Sequence, residues 1–94
     1  MIICAAIKIQ FQRKDQIMEA VVPGLRHSDC YDLMYSLCVP MPREETDGFI
    51  DHEGNFLDRY DAFEHAILCG QLSDTTRVVK RERGERQLFS EDLY

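Results

Sequence analysis

The chain has 94 residues, enough for one domain and not two. Its formal net charge is −6, from 17 acids against 11 Lys and Arg, which argues against general binding of nucleic acid or membrane. No stretch approaches the roughly 20 apolar residues of a membrane helix, and the first residues lack the basic region and cleavage site of a secretory leader. The four cysteines, at 4, 30, 38 and 69, are therefore expected as reduced thiols in a cytoplasmic protein.

Met1–Gln12 opens the chain with a period of two. Ile3, Ala5, Ile7, Ile9 and Phe11 alternate with Cys4, Ala6, Lys8, Gln10 and Gln12, which predicts a strand. The second face starts small and apolar and turns polar, so the start is expected in the middle of a sheet and the end exposed. Arg13-Lys14-Asp15 is a polar reversal, and Gln16–Val22 reads as the returning strand of a hairpin, ending at Pro23-Gly24. Gly24-Leu25-Arg26-His27 then leads to Ser28, a good N-cap, with Asp29 and Asp32 favouring the first turn. Cys30, Leu33, Met34, Leu37 and Cys38 make an apolar stripe, predicting a helix over about 29–38. Arg26 and His27 then sit just before a helix N-terminus, whose free N–H groups suit an anion. Val39–Asp47, with Pro40, Pro42 and Arg43-Glu44-Glu45, reads as a loop.

Gly48–Leu72 is the best-defined stretch. Phe49-Ile50 and Phe56-Leu57 flank the turn signal His52-Glu53-Gly54-Asn55 and predict a small hairpin. Asp58 stands at an N-cap position with Asp61 three residues on, and Leu57 and Ala62 have the spacing of a hydrophobic staple. Ala62, Phe63, Ala66 and Ile67 form one apolar stripe, and Gly70 ends it, predicting a helix over about 59–69. Gln71-Leu72 is a possible further strand, Ser73–Thr76 is turn-like, and Arg77–Lys80 reads as a short strand. Arg81–Arg86 is charged and expected to move. Leu88-Phe89 and Leu93-Tyr94 are apolar pairs that a free tail would not need, so residues 81–94 are expected to dock or to be partly mobile. The fold class is α+β, a small antiparallel sheet with two helices in a single domain, 1–94.

Charge is distributed unevenly. Residues 44–64 hold eight acids and one base, Arg59, whereas residues 77–86 hold Arg77, Lys80, Arg81, Arg83 and Arg86 against two acids. The basic run is either a solvated segment paired with the acidic stretch or an anion pocket. His27-x2-Cys30 and His65-x3-Cys69 have zinc-like spacing, but both cysteines also belong to apolar stripes, where a reduced thiol acts as a small hydrophobe. There is no nucleophile motif, Walker sequence or GxGxxG, so no catalytic residue, metal or cofactor is expected. Arg26, His27, Phe49 and Arg59 with the basic run suit a ligand bearing phosphates and a purine: guanidinium grips the phosphate, and the ring stacks. Taken singly, each has a local explanation. Arg59 has Asp58 and Asp61 beside it, and Phe49 fits a core.

Gly24-Leu25-Arg26-His27, then Gly48-Phe49, Gly54, Phe56, Arg59 and Ala62, then Gly70-Gln71 and finally Ser90-Glu91-Asp92-Leu93-Tyr94 follow in an order that resembles the first Thoeris anti-defence family of small phage proteins. The resemblance implies a sponge that binds the cyclic ADP-ribose isomer made by bacterial TIR enzymes, in some members cyclic oligonucleotides too, and holds it without cleaving it. It also implies two helices per subunit and a homo-oligomer, a dimer or dimer-based assembly, with ligand between subunits. Phe49 resembles the stacking aromatic, Asp58 or Arg59 the polar residue at the hairpin exit, and Arg77 the late arginine, although Val78 follows it where the family has Asp. The contacts so implied are Arg26, His27, Phe49, Asp58, Arg59 and Arg77. An acidic inhibitor that binds a host defence protein through residues 44–64 is the first alternative. A small nucleotide hydrolase is the second.

Overall fold

In the computed structural model, which describes residues 1–37, 39, 42 and 44–93, the alternating segment Ile2–Arg13 is β1, the inner strand of a four-stranded antiparallel sheet. The sheet order is β2-β1-β3-β4, with β2 at Gln16–Gly24, β3 at Glu44–Asp51 and β4 at Phe56–Asp58. Three α-helices follow the sequence between and after the strands: α1 at His27–Ser36, α2 at Arg59–Leu68 and α3 at Asp74–Arg83. A single 3-10 turn, Ser90–Asp92, comes last. Cys38, Pro40, Arg43 and Tyr94, which figure in the sequence expectations, lie outside the described residues.

Helices α1 and α2 cover one face of the sheet. Ala5, Ile7 and Ile9 of β1, Val22 of β2 and Phe49 of β3 meet Cys30 and Met34 of α1 and Ala62, Phe63 and Ala66 of α2 in one buried cluster, closed by Leu72 and Leu88. Burial pushes the Cys30 thiol up to about 11, which keeps it protonated and inert. The expected alternation holds from Ala5 onward and fails at the start. A register irregularity between Ile2 and Cys4 reverses the parity, so Ile2 takes the core position and Ile3 is 55% exposed. On the uncovered face Lys8 pairs with Glu19 at 3.1 Å, and Ile17 and Val21 stand exposed. Gly48 is needed there: a Cβ would lie 2.6 Å from the Phe56 ring and still closer to the Leu57 carbonyl oxygen.

Both expected hairpins form. Arg13 pairs with Gln16 across Lys14-Asp15, where Lys14 adopts φ 57°. Phe49 pairs with Leu57 and Ile50 with Phe56, with Asp51 accepting from the Glu53 and Asn55 N–H groups at 3.0 and 2.8 Å inside the turn. Helix α2 matches its expected span. Asp58 caps it by accepting from the Asp61 N–H at 2.8 Å, and Gly70 follows in the left-handed region.

Elsewhere the structure corrects the sequence reading. The early loop is shorter than expected, because β3 starts at Glu44 and pairs with β1 from Gln10 onward. Helix α1 starts two residues early. Its cap is Arg26, whose N–H donates to the Asp29 carboxylate at 3.0 Å, a reach-back that displaces Ser28 from the capping position. Arg77–Lys80 is helix and not strand. Ser73 caps it by accepting from the Thr76 N–H at 3.1 Å, and Gly84 at φ 67° ends it while Glu85 N–H donates to the Lys80 carbonyl at 2.9 Å. Two local caps thus outweigh the β-branched pair Val78-Val79. Gln71 is not in a strand, but its side chain imitates one. Its Oε1 accepts from the Ile2 N–H at 2.6 Å and its Nε2 donates to the Ile2 carbonyl at 3.0 Å.

Candidate functional site

Arg26 and His27 open α1, and Arg59 opens α2. The sheet brings the two helix starts together, because Gly48 of β3 pairs with Asp58 of β4, directly before Arg59. His27 bridges the pieces. Its Nε2–H donates to the Gly48 carbonyl at 2.8 Å, its ring edge meets Phe49 at 5.1 Å between centroids, and the Ser90 hydroxyl lies 3.4 Å from its Nδ1. This arrangement assigns the proton to Nε2, since a carbonyl only accepts.

Residues 87–92 form the last wall. Leu88 is fully buried, its N–H donates to the Arg59 carbonyl at 2.9 Å, and the Arg59 guanidinium donates back to the Leu88 carbonyl at 2.8 Å. Arg59 also reaches Asp47 at 3.4 Å and lies 4.8 Å from the centre of the Phe89 ring. Lys80 anchors the same segment from α3. Its buried ammonium contacts Asp92 at 2.8 Å, donates to the Gln87 carbonyl at 2.8 Å and lies 4.8 Å from the Phe89 ring centre.

Two clefts result, with Arg59 as their common wall. One, of about 210 Å³, is lined by Arg26, His27, Ser28, Arg59, Phe89, Ser90 and Glu91. Its neighbour, of about 430 Å³, is lined by Tyr31, Glu45, Thr46, Asp47, Asp58, Arg59, Tyr60 and Gln87. Tyr31 is pushed up to about 12 by burial and by the charges of Asp47 and Glu45, so it stays a neutral donor, bonded to Glu45 at 3.2 Å.

Of the sequence-predicted contacts, Arg26, His27 and Arg59 therefore converge, and Asp58 lines the adjoining cleft. Arg77 lies apart, against Phe63 and Ile67. Phe49 takes a different role from the one expected. It is wholly buried under His27, so it supports the site from the core and offers no face to a ligand. The accessible aromatic surface of the second cleft belongs to Tyr31 and Tyr60, which sequence reasoning passed over. The Leu88-Phe89 pair was the one signal pointing to the wall at residues 87–92.

Partial burial holds His27 below its ordinary pKa, opposed by the Gly48 carbonyl and helped by the nearby Arg59 charge. As pH falls below about 6.5, the unfolded chain takes up a proton at His27 that the folded chain resists until a lower pH. The stability owed to neutral His27 is complete above about 6.5 and lost as pH falls through the folded value. Between about pH 7.5 and about pH 5 the urea midpoint is expected to fall more steeply for the native chain than for His27→Gln. Parallel slopes would remove His27 as the cause.

Among the described residues no group of three or more His, Cys, Asp or Glu side chains could hold a metal ion, and Cys30 of the zinc-like spacing is in the core. No described helix is long and apolar enough to cross a membrane. No curated protein and no solved structure matches the chain. The family model described as phage T4 y16D protein matches residues 1–94, and the chain belongs to that phage protein family.

Proposed function

We propose that the chain is a phage anti-defence protein that binds a cyclic nucleotide immune signal, a cyclic ADP-ribose isomer or a cyclic oligonucleotide, and sequesters it without cleaving it. The observation that carries this reading is the convergence of Arg26, His27 and Arg59 on one cleft, continuous through Arg59 with a second cleft that offers Tyr31 and Tyr60. Leu88 and Asp47 take two of the five N–H donors of a guanidinium, which leaves Arg59 able to grip a phosphate. Exposed tyrosine rings suit a purine. The resemblance to the Thoeris anti-defence sponges supplies the signal class.

Retention without turnover fits the role of His27. Its Nε2 is committed to a backbone carbonyl and its pKa is depressed, so it orients the site and carries no charge at neutral pH. The reading includes self-association. The bare sheet face, with Ile3, Ile17 and Val21 exposed beside the Lys8–Glu19 pair, supports it, as does the small size of the domain.

The test is direct. The protein is incubated with cyclic ADP-ribose isomers and cyclic di- and trinucleotides, freed of unbound ligand, heated, and the released compound identified by mass spectrometry. Intact release of one compound is expected, with Arg26→Gln weakening its affinity by roughly tenfold, the worth of one charge-assisted contact. A converted product would make the protein a hydrolase, and release of nothing would sink the reading in favour of a protein partner.

A further inference from the structure

A separate cleft of about 230 Å³ shares no lining residue with the two just described. Arg77 and Arg81 stand one turn apart on α3, Arg86 follows the Gly84 turn, and Phe63 and Ile67 of α2 lie beneath them. Among the described residues none of these three guanidinium groups has an ion pair or hydrogen bond. Glu85, which lines the same cleft, and Asp92 both turn to the buried Lys80, at 4.0 and 2.8 Å.

Three uncompensated cations around an apolar floor are an arrangement that self-repulsion disfavours, and one that a bound anion reverses. The contrast with the rest of the molecule sharpens the point. A chain of net charge −6 has acids in excess, yet Glu85, the acid that lines the cleft, pairs with Lys80 and with none of these arginines. Guanidinium groups match phosphate oxygens two at a time, and several together favour the most highly charged form of phosphate. The Phe63 and Ile67 floor favours an apolar or flat organic group next to that charge. The volume lies below the range of a whole small-molecule pocket, so it admits the phosphate and the near part of such a group.

We propose that this cleft binds a phosphate monoester carrying a flat or apolar organic group, with Arg77, Arg81 and Arg86 on the terminal phosphate. Its ligand differs in kind from the cyclic signal proposed above, whose phosphates are diesters or a doubly esterified pyrophosphate, with a single charge on each phosphorus. The two sites therefore stand or fall separately.

The experiment is titration calorimetry of the whole chain with AMP and with inorganic phosphate. AMP is expected to bind saturably and more tightly than inorganic phosphate. The double variant Arg81→Gln with Arg86→Gln is expected to weaken AMP by roughly a hundredfold, about tenfold for each charge-assisted contact. Its urea midpoint should not fall, because neither side chain has a polar partner to lose and the repulsion between them is relieved, and Arg26→Gln should leave AMP affinity as it was. No saturation with AMP, an unaffected double variant, or inorganic phosphate binding as tightly as AMP would overturn the proposal. So would an equal loss in Arg26→Gln, which would move AMP to the other cleft. A single-stranded oligonucleotide without a terminal phosphate that binds more tightly than AMP would also overturn it, by making the arginines a track for a polymer.

Discussion

Gly48→Ala is expected to lower the stability of the domain by about 3 kcal/mol or more, from a total of roughly 5–15 kcal/mol for a domain of this kind. The added methyl has nowhere to go. It would meet the Leu57 carbonyl oxygen below any contact distance and the Phe56 ring at 2.6 Å. A flexible side chain could give way, but here one obstacle is backbone. Relief would need β3 and β4 to part at the Gly48–Asp58 pair, which sets the start of α2. The carbonyl of the same residue receives the His27 proton, so the strain reaches the candidate site as well. Urea denaturation is the measurement, with the midpoint expected to drop by more than about 1 M. A midpoint within error of the native chain would show that the two strands do not approach this closely.

Lys80→Met is expected to release the C-terminal segment. The substitution keeps the length of the side chain and removes its charge. Asp92, largely buried, then loses its cation, and the Gln87 carbonyl loses its donor. Breaking a buried pair on one side costs about 3–5 kcal/mol, mostly because a charge is left behind. Hydrogen exchange should accelerate at Leu88, whose N–H is bonded to Arg59, and at Phe89, whose N–H donates to Asp92 at 2.8 Å. Retention of the proposed ligand should fall with it, since Phe89, Ser90 and Glu91 wall the first cleft. Adding Asp92→Leu removes the orphaned charge and is expected to restore part of the loss. If the double variant is no more stable than Lys80→Met alone, the ion pair is not what holds the segment.

Local signals account for most of the fold. Asp58 and Gly70 bracket α2 as their capping preferences dictate, and the Asp51–Asn55 turn joins the pair that Phe49-Ile50 and Phe56-Leu57 suggest. Non-local balance accounts for the misses. In α3 the hydrophobic rule is inverted: Val78 and Val79 are exposed and Lys80 is buried. The reason lies in the segment after the Gly84 turn, where Asp92, Gln87 and Phe89 supply a charge, a carbonyl and a ring face. Helical periodicity around Lys80 carries no sign that this segment folds back onto it. Ile3 gave way to Ile2 because of an irregularity that only the pairing with β3 reveals.

The candidate site was legible in the same partial way. Arg26, His27 and Arg59 were readable because each stands at a helix start, a position that sequence marks with caps and turns. That they share a cleft depends on the β3–β4 register and on residues 87–92. Phe49 was misassigned because an aromatic in a Gly-Phe pair looks alike from sequence whether it faces a ligand or the core. Only its pairing with Leu57 on the helix-covered face decides it.

The amide clamp between Gln71 and Ile2 sets the order of events when the chain is made. β1 and β2 emerge from the ribosome first and pair with each other, yet a lone two-stranded hairpin is marginal in water. Its apolar face, Ile7, Ile9 and Val22, is met first by α1 and waits for α2 to complete the cover, and the end of β1 waits for Gln71 to seal it. At roughly 5–20 residues per second the delay is on the order of several seconds. Until β3 and α2 have emerged, the nascent chain presents a half-covered hydrophobic hairpin with an open edge on β1. Chaperone capture and pairing between neighbouring nascent chains both compete with native closure in that window, so yield on rapid overexpression will be limited by synthesis rate before it is limited by the stability of the finished domain.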